Sequence, residues 1–184
     1  MMLLEFDERV ARFEGQPVNI PLVGVPRGYT PDVLVHYRTD PATGEIRKPF
    51  LTDIKHSDEL RRNAEKYAPK FRVAERFAAE NGWEFRVTTE KEIRIPRLAN
   101  LKFLREYRNI EPHEQEINHL RSTLEQCTDQ LSVADLLSYV APSATERLRW
   151  LPVIWFAVLH RIINVDMDQP LTHSTLLRLH GSEQ

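Results

Sequence analysis

One amphipathic stretch constrains this chain more than any other feature. From Leu60 through Ala64, Tyr67, Phe71, Ala74 and Ala78, apolar residues recur at helical spacing. Ser57 is placed to cap this helix and Asn81-Gly82 to end it. Pro69 lies inside it and is expected to kink it or split it in two. A helix with one apolar stripe must bury that stripe, and the runs around it read as strands it can cover. Residues 18–25 are apolar and bounded by Pro17 and Pro26; residues 29–38 are rich in Val, Leu and Tyr. The segment from Asp40 to Glu45 is a turn by its Asp-Pro start and its glycine, and residues 49–56 return as a third strand, closing a hairpin. Residues 83–89 form a fourth strand, and residues 90–108 read as mostly helical around Pro96. Three strands, a helix and a strand make a mixed α/β class. The strand–helix–strand step favours a parallel crossover.

The second half changes character at Pro112. Residues 113–127 suit a helix with Ile117, Leu120 and Leu124 inward. Ser132 caps a short helix over 133–140, and Pro142 and Ser143 open a third that runs to about His160. Residues 162–167 suit a short strand, with Asp168-Gln169-Pro170 as its turn. Three short helices and a small hairpin fit a winged-helix or helix-turn-helix module. They also fit a generic helical subdomain. Trp150, Trp155 and Phe156 read as core rather than as stacking platforms. The expected domains are residues 1–110 and 111–184.

At 184 residues, the chain holds one full domain or two small ones. With 41% hydrophobic and 28% charged residues it can bury a core, which excludes a disordered chain. The longest apolar run, 151–159, contains a proline and is too short to cross a bilayer. The first residues carry acids where a signal peptide needs a basic and then an apolar stretch. The expected location is the cytoplasm. A single cysteine, Cys127, excludes a disulfide framework, a Cys-based zinc site and an iron–sulfur cluster. The net charge of −2 argues at first against nucleic acid, but its distribution is uneven. Residues 1–40 come to −2, residues 41–110 to +5 and residues 111–184 to −5. A basic middle beside an acidic end can hide a DNA-facing patch behind a neutral average; it can equally be a solvated charged surface.

The residues able to carry chemistry sit at strand ends. Asp32 opens the second strand, and Asp53-Ile54-Lys55 closes the third. Side chains alternate along a strand, so Asp53 and Lys55 share a face, and the hairpin can bring Asp32 beside them. Two nearby carboxylates repel, so a divalent cation between them is the expected relief, and an oxygen-only pair suits Mg²⁺ or Mn²⁺. Such an ion polarises a phosphate oxygen and acidifies a bound water. The Lys55 ammonium can orient that water and offset developing charge. This is equipment for phosphodiester hydrolysis, in an order of elements shared by nucleases of the PD-(D/E)xK class. Arg61, Arg62, Lys66 and Lys70 can contact backbone phosphates, or simply form a solvated helix face. His36 shares the face parity of Asp32 and can support it. His56 points to the opposite face from Lys55 and is expected to be structural. No Ser/His/Asp order or Gly-rich phosphate loop stands out, so neither acyl transfer nor nucleotide binding is expected.

Four segments carry a closer resemblance: Leu3-Leu4-Glu5-Phe6-Asp7 with Val10, Phe13-Glu14 and Gln16-Pro17; Tyr29-Thr30-Pro31-Asp32-Val33-Leu34-Val35; Thr52-Asp53-Ile54-Lys55; and Asn81-Gly82-Trp83-Glu84-Phe85-Arg86-Val87-Thr88-Thr89-Glu90-Lys91-Glu92-Ile93. Together they resemble the TnsA endonucleases over about residues 3–108, and more loosely beyond. The resemblance implies a restriction-endonuclease-like core followed by a winged-helix-like domain over about 131–179. It implies a Mg²⁺- or Mn²⁺-dependent subunit of a heteromeric cut-and-paste transposase that cuts the non-transferred strand at transposon ends. Asp32 and Asp53 would bind the metal and Lys55 would position the water. The implied partners are transposon-end DNA, a DDE-type transposase and an AAA+ regulator.

One departure stands out. The family carries a further catalytic glutamate on a helix ahead of the Leu-Glu-Phe-Asp segment, and Glu5 falls at the later position. That leaves three expectations open: a start assigned too late, a natural short form, or a docking subunit with a vestigial nuclease fold. A stand-alone nuclease of the same fold is a further alternative. Without that helix, one face of the sheet is expected to expose apolar surface.

Overall fold

The computed structural model describes residues 1–127 and 129–179. It divides into two compact units, Met1–Arg94 and Ile95–Gln184.

The first unit is built on a four-stranded mixed sheet. A one-turn helix, α1 (Met2–Glu5), leads into β1 (Val10–Gly15). A separate two-stranded ribbon follows, β2 (Ile20–Leu22) and β3 (Val25–Tyr29). Then come β4 (Val33–Tyr37), β5 (Phe50–Ile54), α2 (Ser57–Arg62), α3 (Ala64–Glu80), β6 (Glu84–Thr88) and α4 (Glu90–Ile93). The sheet order is β1-β4-β5-β6. β4 pairs antiparallel with β1 and β5, while β5 and β6 run parallel, as the crossover required.

Alternation along β4 and β5 sorts their side chains onto two faces. Leu34 and Leu51 pack on one face with Ala74, Phe71 and Phe77 of α3. Val33, Val35 and Phe50 lie on the other with Leu4, Phe13 and Tyr37. The sequence leads one to expect one face of the sheet to be partly uncovered, yet these three residues are 5%, 0% and 8% exposed. Leu4 of α1 and the aromatic side chains of β1 and β4 close it, and the Arg86 guanidinium lies 4.3 Å above the Phe50 ring.

Four local expectations are corrected. β1 pairs along β4 where no strand was foreseen, because Ala11, Arg12, Glu14 and Gly15 are exposed and only Val10 is buried, which leaves no clear alternation to read. The apolar run 18–25 is not one strand: it turns at Gly24, whose φ of +78° is left-handed, and returns as β3. The helix does not break at Pro69, which lies inside α3; it breaks at Asn63, whose side-chain amide donates to the Glu59 carbonyl. Pro69 is exposed, so the carbonyl that loses an amide partner can turn to water. Finally, the helix cap is His56 rather than Ser57. Both polar groups of Ser57 are taken by Glu90, its amide at 2.8 Å and its hydroxyl at 2.5 Å.

The second unit is helical. It begins with α5 (Pro96–Leu104) and a 3-10 turn, Arg105–Tyr107. Leu104 is buried in the core of this unit and Tyr107 packs against it, so the segment through Tyr107 packs with the helices. Three helices follow, α6 (Glu114–Gln126), α7 (Val133–Val140) and α8 (Ala144–Leu159). Ser132 and Ser143 each form a capping box, with Asp135 and Glu146 respectively. A small antiparallel ribbon, β7 (Ile163–Asn164) and β8 (Arg178–Leu179), completes the unit. Trp155 and Ile154 are buried in its core, and Trp150 packs against it. No helix among the described residues is long and apolar enough to cross a membrane.

Candidate active site

The end of β5 that follows Leu51 carries the charged cluster. Asp53 shares the face of Leu51 by alternation, and so does Lys55 just beyond the strand. Main-chain bonds fix this end of the sheet. The Lys55 amide donates to the Thr88 carbonyl at 3.1 Å, and the Asp32 amide to the Thr52 carbonyl at 3.0 Å. The Asp32 carboxylate then accepts the Ile54 amide at 2.6 Å. The side chain at the start of β4 is thereby bound to the backbone between Asp53 and Lys55.

Lys55 Nζ is the focus of the cluster. It lies 3.1 Å from Asp53 Oδ1, 3.1 Å from the Ile54 carbonyl oxygen and 3.7 Å from Asp32 Oδ2. Its charge also sits over the Tyr67 ring, 5.9 Å from the centroid. Tyr67 is in turn held by its hydroxyl bond to Glu59 and by stacking on Phe71. Asp53 is 1% exposed, an unusual depth for a carboxylate. Burial raises its pKa first, and the neighbouring Asp32 adds to that, while Lys55 opposes both. Asp53 Oδ2 is buried with no hydrogen-bond partner, and so is the Tyr29 hydroxyl.

The sequence expectation brought Asp32, Asp53 and Lys55 together, and they do meet. The four basic residues differ. Lys70 lies over the Tyr29 ring, 5.9 Å from its centroid. Lys66 is exposed on α3. Arg61 is tied to Asp58 at 2.5 Å, and the Arg62 side chain donates to the Asp58 carbonyl. His36 meets Trp83, Arg12 and Glu14 rather than the carboxylate cluster. His56 accepts from the Asp58 amide and has the structural role foreseen.

Sequence reasoning did not single out Tyr29, Tyr67 or Glu90 as site residues. Tyr67 read as core, and it is buried; its second role emerges only when β5 is set beneath α3. Glu90 binds Ser57 and lies 3.9 Å from the His56 ring nitrogen. The Ser57 bonds hold its pKa down at about 2.

The donor set has a definite chemistry. Two carboxylates and one main-chain carbonyl converge on a single point of positive charge, and one buried carboxylate oxygen has no partner. Hard divalent cations take oxygen sets of this kind. Among the described residues, no cluster of three or more His, Cys, Asp or Glu could hold a metal ion.

A mixed sheet with paired aspartates and a lysine at one strand end defines a nuclease-type core. Sequence comparison agrees. A family model described as TnsA-like endonuclease N terminal matches residues 7–90, and one described as TnsA endonuclease C terminal matches residues 92–167. The chain belongs to the TnsA-like endonuclease family, a nuclease of the transposase family. Among curated proteins, none matches it.

Proposed function

We propose that this chain is the DNA-cleaving subunit of a heteromeric cut-and-paste transposase and hydrolyses the non-transferred strand at transposon ends. The observation that carries the reading is the convergence of Asp53 Oδ1, the Ile54 carbonyl and Asp32 Oδ2 on the Lys55 ammonium. Asp32 and Asp53 would hold Mg²⁺ or Mn²⁺, with the Ile54 carbonyl beside them. The ion would supply Lewis-acid polarisation of the scissile phosphate and a more acidic water.

The chain's own residues do the rest. Asp53 is fixed by burial and by its bond to Lys55. Asp32 is fixed by the Ile54 amide. Lys55 carries three N–H donors on a flexible stem. One of them can hold the attacking water while its charge offsets the extra negative charge that forms on phosphorus oxygens. Lys70 and Lys66 on α3, with Arg61 and Arg62 on α2, are the proposed contacts to DNA phosphates.

The second unit is proposed as a winged-helix-like module, on the strength of three capped helices and the β7–β8 ribbon. Its acidic balance favours a protein partner over DNA. The proposed partners are transposon-end DNA, a DDE-type transposase and an AAA+ regulator, in the cytoplasm and on the nucleoid when DNA is bound.

The test is reconstituted cleavage of transposon-end DNA with the companion transposase and Mn²⁺. Lys55→Ala should lower the cleavage rate on the order of a hundredfold or more. Cleavage by Lys55→Ala at the wild-type rate would refute the assignment. Partner-independent cutting of generic duplex would instead indicate a stand-alone nuclease. A wild-type chain that joins the transposase complex without cutting would indicate a docking subunit.

A further inference from the structure

Lys55 stands in the short junction between β5 and α2, and the chain around it is fastened from one side. The end of β6 and the start of α4 supply the fastening through four bonds. Thr88 Oγ1 lies 2.7 Å from Thr52 Oγ1, and the Thr88 carbonyl accepts the Lys55 amide at 3.1 Å. Glu90 then accepts the Ser57 amide at 2.8 Å with one carboxylate oxygen and the Ser57 hydroxyl at 2.5 Å with the other. Lys55 and His56 are thereby pinned at both ends by residues 88–90.

The Glu90–Ser57 pair is not needed to finish either helix. The cap of α2 is His56, whose ring nitrogen accepts the Asp58 amide. The cap of α4 is Thr89, which forms a capping box with Glu92. Ser57 and Glu90 therefore spend their polar groups on each other, across 33 residues of sequence. Bonds to an ionised carboxylate are among the stronger ones, and here one residue takes both oxygens, which fixes direction as well as distance. What this pair holds is the junction itself.

The junction carries an ammonium that must be aimed. Lysine is a point charge on a flexible stem, so where its charge sits depends on how its stem is held. Lys55 Nζ reaches Asp53 Oδ1, the Ile54 carbonyl oxygen and Asp32 Oδ2 from a backbone fixed at Thr88 and Ser57. The same anchor governs a second support. Glu59, early in α2, accepts the Tyr67 hydroxyl, and the Tyr67 ring lies 5.9 Å from Lys55 Nζ. Holding the start of α2 thus holds both the stem of the lysine and the ring beside its charge.

We propose that Glu90 is a positioning residue for Lys55: by gripping Ser57 at two points it fixes the β5–α2 junction, so that the ammonium is already aimed at Asp53 and Asp32 before DNA arrives. The inference rests on the nuclease reading for its purpose, but not for its geometry. A catalytic group displaced by about 1 Å can cost on the order of a hundredfold in rate, so a residue outside the cluster can have a large effect on cleavage.

The experiment uses the full chain and two readouts. The first is amide hydrogen exchange by NMR, without metal or DNA, on wild type and Glu90→Ala. The Lys55 amide should exchange roughly tenfold faster in the variant, while the Asp32 amide, bonded to Thr52, keeps its wild-type rate. A Lys55 amide unchanged beside a faster Ser57 amide would overturn the proposal, since the grip would then end at Ser57. The second readout is single-turnover cleavage of transposon-end DNA with the companion transposase and Mn²⁺, as a double-mutant cycle with Lys55→Ala. Glu90→Ala should cut about tenfold more slowly than wild type, yet cost almost nothing further in the Lys55→Ala background. Glu90→Gln, which can still accept from the Ser57 amide and donate to its hydroxyl, should recover most of the rate. An undiminished loss in the Lys55→Ala background, or wild-type cleavage by Glu90→Ala, would overturn the proposal. If wild type does not cut, the nuclease reading fails, and hydrogen exchange still decides whether Glu90 holds Lys55. Should Glu90→Ala unfold, Ser57→Ala, which removes one of the two bonds and keeps the His56 cap, supplies the same comparison: faster Lys55 exchange is expected, and an unchanged rate is contrary.

Discussion

Asp53 and Asn100 occupy equivalent depths in the two units, at 1% and 5% exposure, and are treated in opposite ways. Asn100 is fully used. Its amide donates to the Met167 carbonyl at 2.9 Å and the Gln169 carbonyl at 2.7 Å, and its oxygen accepts the Leu171 amide at 3.1 Å. It ties α5 to the chain that follows β7. Asp53 is an ionisable group whose pKa is raised by its burial, and it keeps one oxygen without a partner. Burying a polar group and satisfying it makes a structural joint. Burying a charge and leaving it partly unsatisfied lowers stability, and its persistence points to chemistry. By this measure Asn100 is a structural joint, and Asp53 is the residue on which the proposed reactive site depends.

The comparison can be broken in three ways. The largest expected effect is on activity: Asp53→Asn should lower cleavage on the order of a thousandfold while leaving the melting temperature equal to wild type or higher. A large fall in melting temperature would make Asp53 a structural residue like Asn100. Next is Asn100→Ala. It leaves two carbonyls and an amide without their side-chain partner in a part-buried setting, and should cost about 1–3 kcal/mol by denaturation. A loss well under about 1 kcal/mol would mean that water replaces the amide readily and that the contrast is overdrawn.

The third and smallest effect concerns Glu90, which ties the start of α2 to the segment after β6. Its folded pKa, about 2, lies below the ordinary value of 4.5. The folded state therefore favours the ionised form. That contribution is complete above about pH 4.5 and is lost as the pH falls towards 2. The stability of wild type should fall across this window more steeply than that of Glu90→Gln. Parallel curves would show that Glu90 contributes nothing to the join.

How much of this was legible in the sequence follows from what each signal depends on. The parallel crossover was legible because the apolar stripe from Tyr67 to Ala78 leaves a single way to bury α3. The caps at Ser132 and Ser143 were legible because capping is local. Asp32, Asp53 and Lys55 were legible as a set because strand alternation and a hairpin suffice to gather them. β1 was not, since an edge strand with one buried residue has little alternation to show. The helix break at Asn63 was hidden by Pro69, the stronger breaker by residue type, because the outcome turned on a side-chain bond to Glu59. Ser57 looked like the better cap, and it lost that role to a partner 33 residues away, Glu90. The unit boundary at Arg94/Ile95 was masked by Pro112, because the membership of α5 depends on where Leu104 packs. Tyr29 was visible only as part of a motif. Its unpaired hydroxyl is a fact of three dimensions.

The central claim is that Asp32 and Asp53 form one assembled cation-binding pocket in this chain. Calorimetric titration of Mn²⁺ at low salt, into wild type and into Asp32→Ala, tests it most directly. Asp32 is partly exposed, with 37% of its side chain open to solvent, so the substitution should leave the fold intact. The account predicts saturable binding in wild type that disappears in Asp32→Ala. Equal binding by both proteins, or none by either even at millimolar metal, would contradict it.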